Sequence, residues 1–281
     1  MSIYMTAPDD YLSWVLGETY YSPNEEQIDK YFIVSLSGGK DSTALLLKLL
    51  EHDILIHEVV YVDVGKEFPE MIQHIKKLKK IVEAAEIKFT ILKPEKNFRY
   101  WLGEHIKTKG KNIGKKGYGW PDFRNRWCTS QMKIETLKKY YLNLINNKNT
   151  VEFVGYAADE IERINNNKDK RIKEYSLVNF DMTEKAALEY CYSKGFDWNG
   201  LYEKFNRASC YLCPLSRLSE LKYVFENYPH LWLEMRMLDD MSFRDFRSDY
   251  TLKELEKKFI NEFYEDMWGR KQLKLNFLEE G

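Results

Sequence analysis

The residues in this chain best suited to chemistry form the octet Ser-Leu-Ser-Gly-Gly-Lys-Asp-Ser at positions 35–42, directly after an apolar run at 31–34. Its two glycines allow a tight turn that brings backbone N–H groups close to an anion. The helix predicted to follow adds unpaired N–H groups and the positive end of its dipole. The octet therefore predicts a phosphate-binding loop made of Ser35, Ser37, Gly38, Gly39, Lys40, Asp41 and Ser42.

The spacing within this loop excludes two common nucleotide motifs. A Walker loop requires Gly, four residues and then Gly-Lys-Ser/Thr, and the dinucleotide fingerprint requires GxGxxG; the octet has neither. A Gly-Gly turn before an ordinary helix is the simple alternative, but such a turn needs neither a lysine nor two flanking serines. The octet resembles the PP-loop, SGGxDS, of the ATP pyrophosphatases and their relatives in the adenine nucleotide α-hydrolase superfamily.

The elements that must position the loop alternate along the chain. Apolar runs predict strands at 31–36, 57–64, 89–92 and 151–155, and helical patterns predict helices at 43–52, 69–85, 134–144 and 183–194. This alternation indicates right-handed crossovers and a parallel sheet, so the predicted fold class is α/β. The charged stretch 161–173 predicts an exposed loop. From residue 215 the chain is helical and aromatic, and a capping box at Thr251 and Glu254 begins the last long helix.

The predicted domain organisation has three parts. A polar, partly helical segment at 1–29 precedes an α/β nucleotide-binding domain at 30–215, and a helical C-terminal extension follows at 216–281. Between the third strand and the next helix, residues 107–119 contain five lysines and four glycines. This composition predicts a mobile basic loop, for which a solvated connection, a lid over a polyphosphate and a nucleic-acid contact all remain open.

Bulk composition limits the classes of function. The 281-residue chain is 44% hydrophobic and 31% charged, and its net charge of −1 gives no overall field toward nucleic acid or membrane. It has no signal peptide and no apolar run of membrane-spanning length, so we expect a cytoplasmic protein that does not bind membranes. In a reducing cytoplasm, cysteines more often ligate metals or react than form disulfides.

Two further segments lie where ligands bind in open parallel sheets, beyond the carboxyl ends of the strands. Asp63 ends the second strand, where a carboxylate accepts hydrogen bonds from a ribose hydroxyl or an adenine amine; a helix-capping turn is the alternative. Gly155 ends the fourth strand, and Glu160 and Arg163 follow it. A salt bridge from Arg163 to Glu160 or Glu162 is the alternative to a ligand contact.

The four cysteines form the second signal. Cys210 and Cys213 make a CxxC, and Cys128 lies in the run 126–133. A CxxC by itself is compatible with redox chemistry, zinc or an iron–sulfur cluster. Cys191 lies on the apolar side of its predicted helix, so we expect it in the core.

The PP-loop, the Asp63 segment and the stretches 126–133 and 183–215 together resemble the phosphoadenosine phosphosulfate (PAPS) reductase-like family of phages and bacteria, over residues 30–240. The resemblance implies a Rossmann-like adenine nucleotide α-hydrolase (HUP-type) fold. Three positions after the second and fourth strands depart from the family pattern. Val64 replaces a threonine, Ile161 replaces a serine, and Ala157 replaces an arginine that can donate to phosphate or sulfate. Residues 214–281 contain no cysteine, whereas true sulfonucleotide reductases end with a nucleophilic one.

The resemblance also assigns site residues. It implies that Asp63, Gly155 and Glu160 join the loop in binding nucleotide, and that Lys40, Asp41 and Arg163 are catalytic. Sulfonucleotide reductases that carry a [4Fe–4S] cluster have a Cys-Cys pair, a long gap and a CxxC, and this chain has a similar gap with Trp127 at one of the paired positions. The three cysteines that remain resemble the set of several tRNA-thiolating relatives. That similarity implies that Cys128, Cys210 and Cys213 hold a [4Fe–4S] cluster with one iron open. Zinc ranks below it, because no histidine lies near them in sequence.

These features predict an enzyme that binds ATP and Mg²⁺, cleaves ATP at the α-phosphate into AMP and pyrophosphate, and adenylates an acceptor in a reaction coupled to sulfur transfer. The acceptor remains open between tRNA, DNA and a small molecule. The alternatives are a phosphoadenylyl-sulfate or adenylyl-sulfate reductase, and a non-catalytic nucleotide-binding subunit of a phage or defence complex. Aromatic residues of the C-terminal helices, including Trp232, Phe243 and Phe246, are candidates for a homodimer or partner surface, although most such residues are core.

Overall fold

A five-stranded sheet, in which every strand pairs in parallel, carries the candidate site. The computed structural model describes residues 30–110, 112–145, 149–166, 171–208 and 210–279, so the predicted segment 1–29 lies outside the described residues. The strands are β1 (Lys30–Leu36), β2 (Glu58–Val62), β3 (Lys88–Leu92), β4 (Asn149–Val154) and β5 (Ile172–Glu174). Their order is β3-β2-β1-β4-β5. The predicted Rossmann-like α/β fold is confirmed.

Helices connect the strands and make up the C-terminal region. They are α1 (Lys40–Glu51), α2 (Pro69–Ala84), α3 (Glu135–Ile145), α4 (Ile161–Asn165), α5 (Ser176–Asn179), α6 (Glu184–Ser193), α7 (Leu201–Lys204), α8 (Leu218–Asn227), α9 (Pro229–Asp239) and α10 (Leu252–Glu279). Residues Tyr100–Glu104 and Cys128–Ile134 are π-helical. Over the ranges described, none of these helices is both long and apolar enough to cross a membrane.

Local sequence signals explain several element boundaries, and one expectation was wrong. Thr251 and Glu254 form the predicted capping box, because each backbone N–H donates to the other side chain, at 2.8 Å and 3.2 Å. The charged stretch 161–173, expected to be an exposed loop, instead contributes α4 and β5. β5 has only three residues, and it is held by pairing with β4 rather than by an apolar pattern of its own.

The described residues form two compact units, each assembled from separate stretches of chain. Unit 1 comprises the residues up to Asp63 together with Pro69–Lys93 and Thr136–Tyr202, and it contains the sheet. Unit 2 comprises Val64–Phe68, Pro94–Glu135 and the chain from Glu203 onward. The boundary expected at residue 215 stays a prediction.

The core of unit 1 surrounds the two central strands. All five residues of β2 are buried, as are Ile33 and Val34 of β1, because the crossover helices of a parallel sheet cover both of its faces. The fully buried side chains of α1 include leucines 45, 46 and 49. Fully burying one such leucine stabilises the fold by about 1.5–3 kcal/mol.

Two buried carboxylates flank Ile33 in the sheet, and neither is predicted by a pattern in the sequence. Glu58 on β2 and Glu152 on β4 both pair in register with Ile33, so all three side chains lie on one face. Burial acts to raise the pKa of Glu58, but hydrogen bonds from Thr90 and Tyr140 outweigh it and hold that pKa below its ordinary value. Glu58 is therefore a satisfied part of the core, whereas Glu152 Oε2 is ion-paired with Arg171 Nη1 at 3.2 Å without a hydrogen bond.

The core of unit 2 is aromatic. Trp120 and Trp127 are buried, and each indole N–H finds an acceptor, on Asp239 at 2.7 Å and on the Gly119 carbonyl at 2.9 Å. Of the aromatic residues considered for a partner surface, Trp232 and Phe246 are buried and Phe243 is 55% exposed. The use of these helices as a partner surface stays a prediction.

One buried histidine in unit 1 links the helices on either side of the candidate loop. His74 on α2 shares a hydrogen bond of 2.9 Å with the hydroxyl of Thr43 on α1, and its ring stacks on Trp198 at 4.5 Å. Burial lowers the pKa of His74 to about 3, with a further contribution from the charge of Lys77. The folded protein therefore keeps this imidazole neutral.

We expect stability to unfolding to fall between pH 7 and pH 5. The ordinary histidine pKa is 6.5 and that of folded His74 is about 3, so below pH 6.5 the unfolded chain binds more protons. This contribution is complete above pH 6.5 and is lost as the pH falls toward 3, at about 1.4 kcal/mol per pH unit. Urea unfolding of His74→Gln should show a smaller difference between pH 7 and 5 than the wild type. The control His52→Gln changes an exposed histidine and should keep the full difference in stability between pH 7 and 5. If His74→Gln also kept the full difference, His74 would not be the cause of the pH dependence.

Candidate functional site

The predicted phosphate loop has the strand–loop–helix geometry that anion binding requires. β1 ends at Leu36, and α1 begins at Lys40 with Gly39 as its N-cap. Gly38 has φ +82°, and a Cβ there would lie 2.7 Å from Met71 Sδ and 2.8 Å from Ile75 Cδ1. Only glycine fits this turn, and the turn leaves the first N–H groups of a 12-residue helix at the end of the sheet.

The two loop serines hold the shape of the turn. Ser37 Oγ and Ser42 Oγ are 2.9 Å apart, Ser42 Oγ donates to the Gly39 carbonyl at 3.1 Å, and the Ser37 N–H donates to Ser42 Oγ at 3.2 Å. Ser35 faces elsewhere, because its hydroxyl bonds to Tyr141 at 2.9 Å and to Glu152 at 2.5 Å. Its expected place in the nucleotide site stays a prediction.

Two aromatic residues support the loop from the segment after α6. The Trp198 indole N–H donates to the Gly38 carbonyl at 2.8 Å, and the Tyr202 hydroxyl accepts the Lys40 N–H at 2.8 Å. The two rings pack edge to face at 4.7 Å. Tyr202 thus satisfies one of the helix N-terminal donors, and the N–H groups of Asp41 and Ser42 have no acceptor within the helix.

Lys40 lies between two carboxylates. Its Nζ is 3.1 Å from Asp41 Oδ2 and 2.5 Å from Glu184 Oε2. Burial acts to lower the pKa of Lys40, but Glu184 and Asp41 outweigh it and raise that pKa above its ordinary value. Lys40 is therefore a fixed positive charge. No sequence pattern predicts the pairing of Lys40 with Glu184, because 144 residues separate them.

Asp41 presents an unsatisfied oxygen at the same place. Its Oδ1 is buried and has no hydrogen-bond partner within the described part of the chain. Burial raises the pKa of Asp41 above its ordinary value, against the opposing charge of Lys40, and the carboxylates of Glu184 and Glu160 add to the rise. A buried carboxylate oxygen with no donor fits a divalent cation such as Mg²⁺.

The predicted segment after β4 reaches the loop through Gly155. A Cβ at Gly155 would lie 2.8 Å from both the Cα and the N atom of Ser42, and no rearrangement of side chains relieves a clash with backbone. Beyond it, Arg163 Nη1 pairs with Glu160 Oε1 at 2.7 Å and stacks over Tyr156 at 4.3 Å. The salt bridge considered as the alternative for Arg163 is therefore present, and its catalytic role stays a prediction.

Asp63 follows β2, the strand beside β1. Its N–H donates to the Leu92 carbonyl at 2.9 Å, which continues the pairing of β2 with β3 by one residue. Three segments that follow adjacent parallel strands thus carry Asp63, the loop and Gly155. They lie at the carboxyl edge of unit 1, where ligands bind in sheets of this type.

The three cysteines expected to bind metal belong to unit 2. Cys128 begins the π-helix Cys128–Ile134, and Cys210 and Cys213 precede α8. Cys191 is separate from them, since it is fully buried in unit 1, as expected, and its thiol lies 3.5 Å from the Lys40 carbonyl. Burial raises the pKa of Cys191 to about 12.

A lysine and a glutamate accompany the three thiols. Cys210 Sγ and Lys133 Nζ each lie 3.6 Å from Glu67 Oε1. Burial raises the pKa of Cys210 well above its ordinary value, and the charges of Glu67, Cys213 and Cys128 add to the rise. The pKa of Lys133 reaches about 12, since burial is outweighed by the charges of Cys210, Glu67 and Cys128. The thiols therefore share an environment in which Lys133 and Arg126 supply the positive charge.

The chemical character of these side chains fits a positively charged iron–sulfur cluster. Three thiolates and a carboxylate facing one ammonium group would be balanced by a positively charged metal centre. The described residues contain no group of three His, Cys, Asp or Glu side chains arranged to hold a single metal ion. A cluster of four irons is wider than one ion, so its ligands need not converge on one point. The preference for a cluster over zinc stays a prediction.

A cavity of 300 Å³ lies in unit 2, lined by Val64, Gly65, Lys66, Asn97, Phe98, Arg99, Glu234, Met237 and Leu238. Lys66 forms a salt bridge with Glu234, which also accepts the hydroxyl of Tyr211. Tyr211 is the second residue of the CxxC, and its N–H donates to the Lys66 carbonyl at 3.3 Å. The cavity is therefore hydrogen-bonded directly to the cysteine segment.

Comparison with known proteins agrees with the loop and the sheet. Residues 31–216, more than half of the chain, match the phosphoadenosine phosphosulfate reductase domain. The chain belongs to this family. The PAPS reductase family match ends three residues beyond Cys213, so it includes the PP-loop and all three cysteines of unit 2.

Two curated relatives and one solved structure are similar to this chain. Two uncharacterised proteins of Methanocaldococcus jannaschii are 28% identical over 221 residues and 29% identical over 206 residues, covering 74% and 70% of this chain. The chain spans less than half the length of each, 41% and 45%. Among solved structures, the U34-tRNA thiolase NcsA from Methanococcus maripaludis, with its [4Fe–4S] cluster, aligns at 16% identity with a TM-score of 0.41, over 89% of this chain and 77% of that one.

The salt bridge between Lys40 and Glu184 generates a prediction for this PAPS reductase family member. A nucleotide phosphate competes with Glu184 for Lys40, so Glu184→Gln should bind ATP severalfold more tightly than the wild type, by up to about 1.4 kcal/mol. Isothermal titration calorimetry with ATP measures this change. The matched control is Glu189→Gln on the same helix, which removes an exposed carboxylate paired with Lys185 and should leave ATP affinity unchanged. Weaker binding by Glu184→Gln would mean that Glu184 contributes to the site instead.

Proposed function

We propose that this protein is an adenylating enzyme that cleaves ATP at its α-phosphate and prepares an acceptor oxygen for replacement by sulfur. The observation that carries the proposal is the composition of the loop: one partly buried lysine, one unpartnered carboxylate oxygen and the N-terminus of α1 meet at the carboxyl edge of a parallel sheet. A triphosphate with its divalent cation needs these three partners.

Each partner has a distinct task in binding ATP. The N–H groups of Asp41 and Ser42 at the start of α1 would donate to phosphate oxygens. Lys40 would exchange its salt bridge with Glu184 for one with the bound phosphate. Asp41 Oδ1 would hold Mg²⁺, and the bound ion would neutralise phosphate charge. Asp63, after the adjacent strand, would accept hydrogen bonds from the ribose or the adenine.

The proposed reaction forms one bond and breaks one. An acceptor oxygen attacks the α-phosphorus, the bond to the bridging oxygen of the β-phosphate breaks, and pyrophosphate leaves with that electron pair. The products are an adenylated acceptor and pyrophosphate. Lys40 would stabilise the charge that develops on the phosphates, and its fixed position means that little reorganisation is needed.

The cysteines of unit 2 support the sulfur step of the proposal. Cys128, Cys210 and Cys213 would hold a [4Fe–4S] cluster, which supplies an iron atom able to bind a sulfur atom. Attack of a sulfide sulfur on the adenylated carbon would release AMP and leave sulfur in place of oxygen. The cavity beside Tyr211 is where we place the acceptor, because Lys66 and Arg99 line it and its hydrogen bonds reach the CxxC.

Sulfonucleotide reduction is the second candidate, because the family match favours it. Such a reductase needs a reactive thiolate, and burial raises the pKa of both Cys210 and Cys213, which keeps these thiols protonated at neutral pH. Release of sulfite from a sulfonucleotide in the presence of thioredoxin would select this candidate over adenylation.

Pyrophosphate release tests the adenylation directly. The purified protein is incubated with ATP, Mg²⁺ and, in turn, total tRNA, DNA and small carboxylic acids, and pyrophosphate is measured. We expect release with one acceptor class, and we expect Lys40→Ala and Asp41→Ala to lower its rate by at least about a hundredfold, because each removes a charged group at the reacting phosphates.

The matched control for both variants lies on the same helix. Lys48→Ala removes a lysine that pairs with Glu51 near the end of α1, and it should keep the wild-type rate. Absence of pyrophosphate with every acceptor class would overturn the proposal. Tight ATP binding without turnover would identify a non-catalytic nucleotide-binding subunit instead.

Iron content tests the cysteine assignment separately. Protein purified without oxygen should be brown and should contain about four irons per chain. Serine substitutions at Cys128, Cys210 and Cys213 should each lower the iron content and the visible absorption. Cys191→Ala, which changes a buried thiol of unit 1, should leave both unchanged. Colourless protein with one zinc per chain would contradict the cluster.

A further inference from the structure

A strongly basic stretch of unit 2 stands apart from the near-neutral chain. Between residues 94 and 135 there are ten lysines and arginines but only four acidic residues, whereas the whole chain has a net charge of −1. The exposed members include Lys109, Lys115 and Lys116. No step of the proposed adenylation uses them, so this local charge needs another explanation.

Partly buried aromatic rings form a continuous row in the same stretch of unit 2. Tyr100 contacts Trp101 at 5.3 Å, Trp101 contacts His105 at 4.7 Å, and His105 contacts Tyr118 at 5.0 Å. Lys96 Nζ lies 5.1 Å from the ring centre of Tyr100. We call these four rings, together with Lys107, Lys109, Lys115 and Lys116, the basic aromatic surface.

The backbone that carries this surface is a hydrogen-bonded hairpin. Ile106 and Lys116 form an antiparallel bridge, the Lys107 N–H donates to the Lys115 carbonyl at 3.0 Å, and the Gly114 N–H donates to the Lys107 carbonyl at 2.9 Å. The hairpin packs against the π-helix so closely that a Cβ at Gly117 would lie 2.0 Å from the Leu102 carbonyl oxygen. The stretch expected to be a mobile loop therefore has internal order.

Lys107 is the unusual cation of the hairpin. It is only 9% exposed, and its Nζ lies 4.4 Å from the ring centre of Phe243 and 5.6 Å from that of Tyr118. Within the described ranges no acidic side chain pairs with it. Burial lowers the pKa of Lys107, and the charges of Lys115 and Arg244 lower it further. Crowding of like charges around a buried ammonium group is relieved by a bound anion.

We propose that the basic aromatic surface binds single-stranded nucleic acid. Unpaired bases stack on partly exposed aromatic rings, and the lysines of the same stretch can pair with successive phosphates of a nucleic-acid strand. A free phosphate or a small anion would use the lysines and leave the rings idle. Arg99 lines the cavity of unit 2 and is followed directly by Tyr100, so a strand on this surface leads to that cavity.

Fluorescence anisotropy of the full chain, without ATP, tests the proposal independently of adenylation. The probes are labelled oligonucleotides of about 20 nucleotides, longer than the site of one single-strand-binding fold, as single-stranded RNA, single-stranded DNA and duplex DNA. We expect both single strands to bind more tightly than the duplex. Affinity should fall steeply between about 50 mM and about 200 mM salt.

Two variants separate the charge from the stacking. Lys115→Ala/Lys116→Ala should weaken binding about tenfold at low salt and flatten the salt dependence by about 1.4 units of slope, because each phosphate contact on a single strand contributes about 0.7. Trp101→Ala should weaken binding about tenfold with the salt slope unchanged, and Trp101→Phe, which keeps a ring, should bind nearly as the wild type does. Circular dichroism confirms that each variant is folded.

The matched control is Lys76→Ala/Lys80→Ala, which removes two exposed lysines from α2 and should leave binding unchanged. If this control lost as much affinity as Lys115→Ala/Lys116→Ala, the loss would come from net charge alone and the proposal would be overturned. Binding of duplex as tight as that of single strands, or wild-type affinity in Lys115→Ala/Lys116→Ala, would overturn it as well. Preference between the RNA and DNA strands identifies which nucleic acid the surface takes.

Discussion

The candidate nucleotide site depends on the contact of two backbones at the edge of the sheet. Because β4 pairs in parallel with β1, the chain leaving β4 runs past the turn that opens α1, and there Gly155 meets Ser42. Any side chain at Gly155 would displace the N-terminus of α1. The ion pairs of Lys40 and the support from Trp198 and Tyr202 all require that N-terminus to stay where it is.

Sequence reasoning succeeded where the determinant is local. The apolar runs located the four longer strands, and Gly38 marked a turn that only glycine can make. Thr183 caps α6, since its hydroxyl accepts the Ala186 N–H at 3.2 Å. Each of these features follows from residues within one turn or one strand of each other, so the pattern is visible without the fold.

The rest of the site depends on partners that are distant in sequence. Glu184 reaches Lys40 across 144 residues, and Tyr202 reaches its N–H across 162. Glu58 and Glu152 become core residues only because both strands lie beside Ile33. Lys107 appeared to be one more solvated lysine until the hairpin placed it against Phe243. No local pattern distinguishes these side chains from ordinary surface charges, so only the tertiary structure identifies them.

The division of unit 2 into separate stretches has a consequence during protein synthesis. Cys128 leaves the ribosome 82 residues before Cys210, which at the usual elongation rate corresponds to about 4 to 16 seconds. During that interval the nascent chain carries one thiol of the set without the segment that encloses it. Before translation has finished, the incomplete set of cysteines is therefore most vulnerable to oxidation or to binding of a wrong metal.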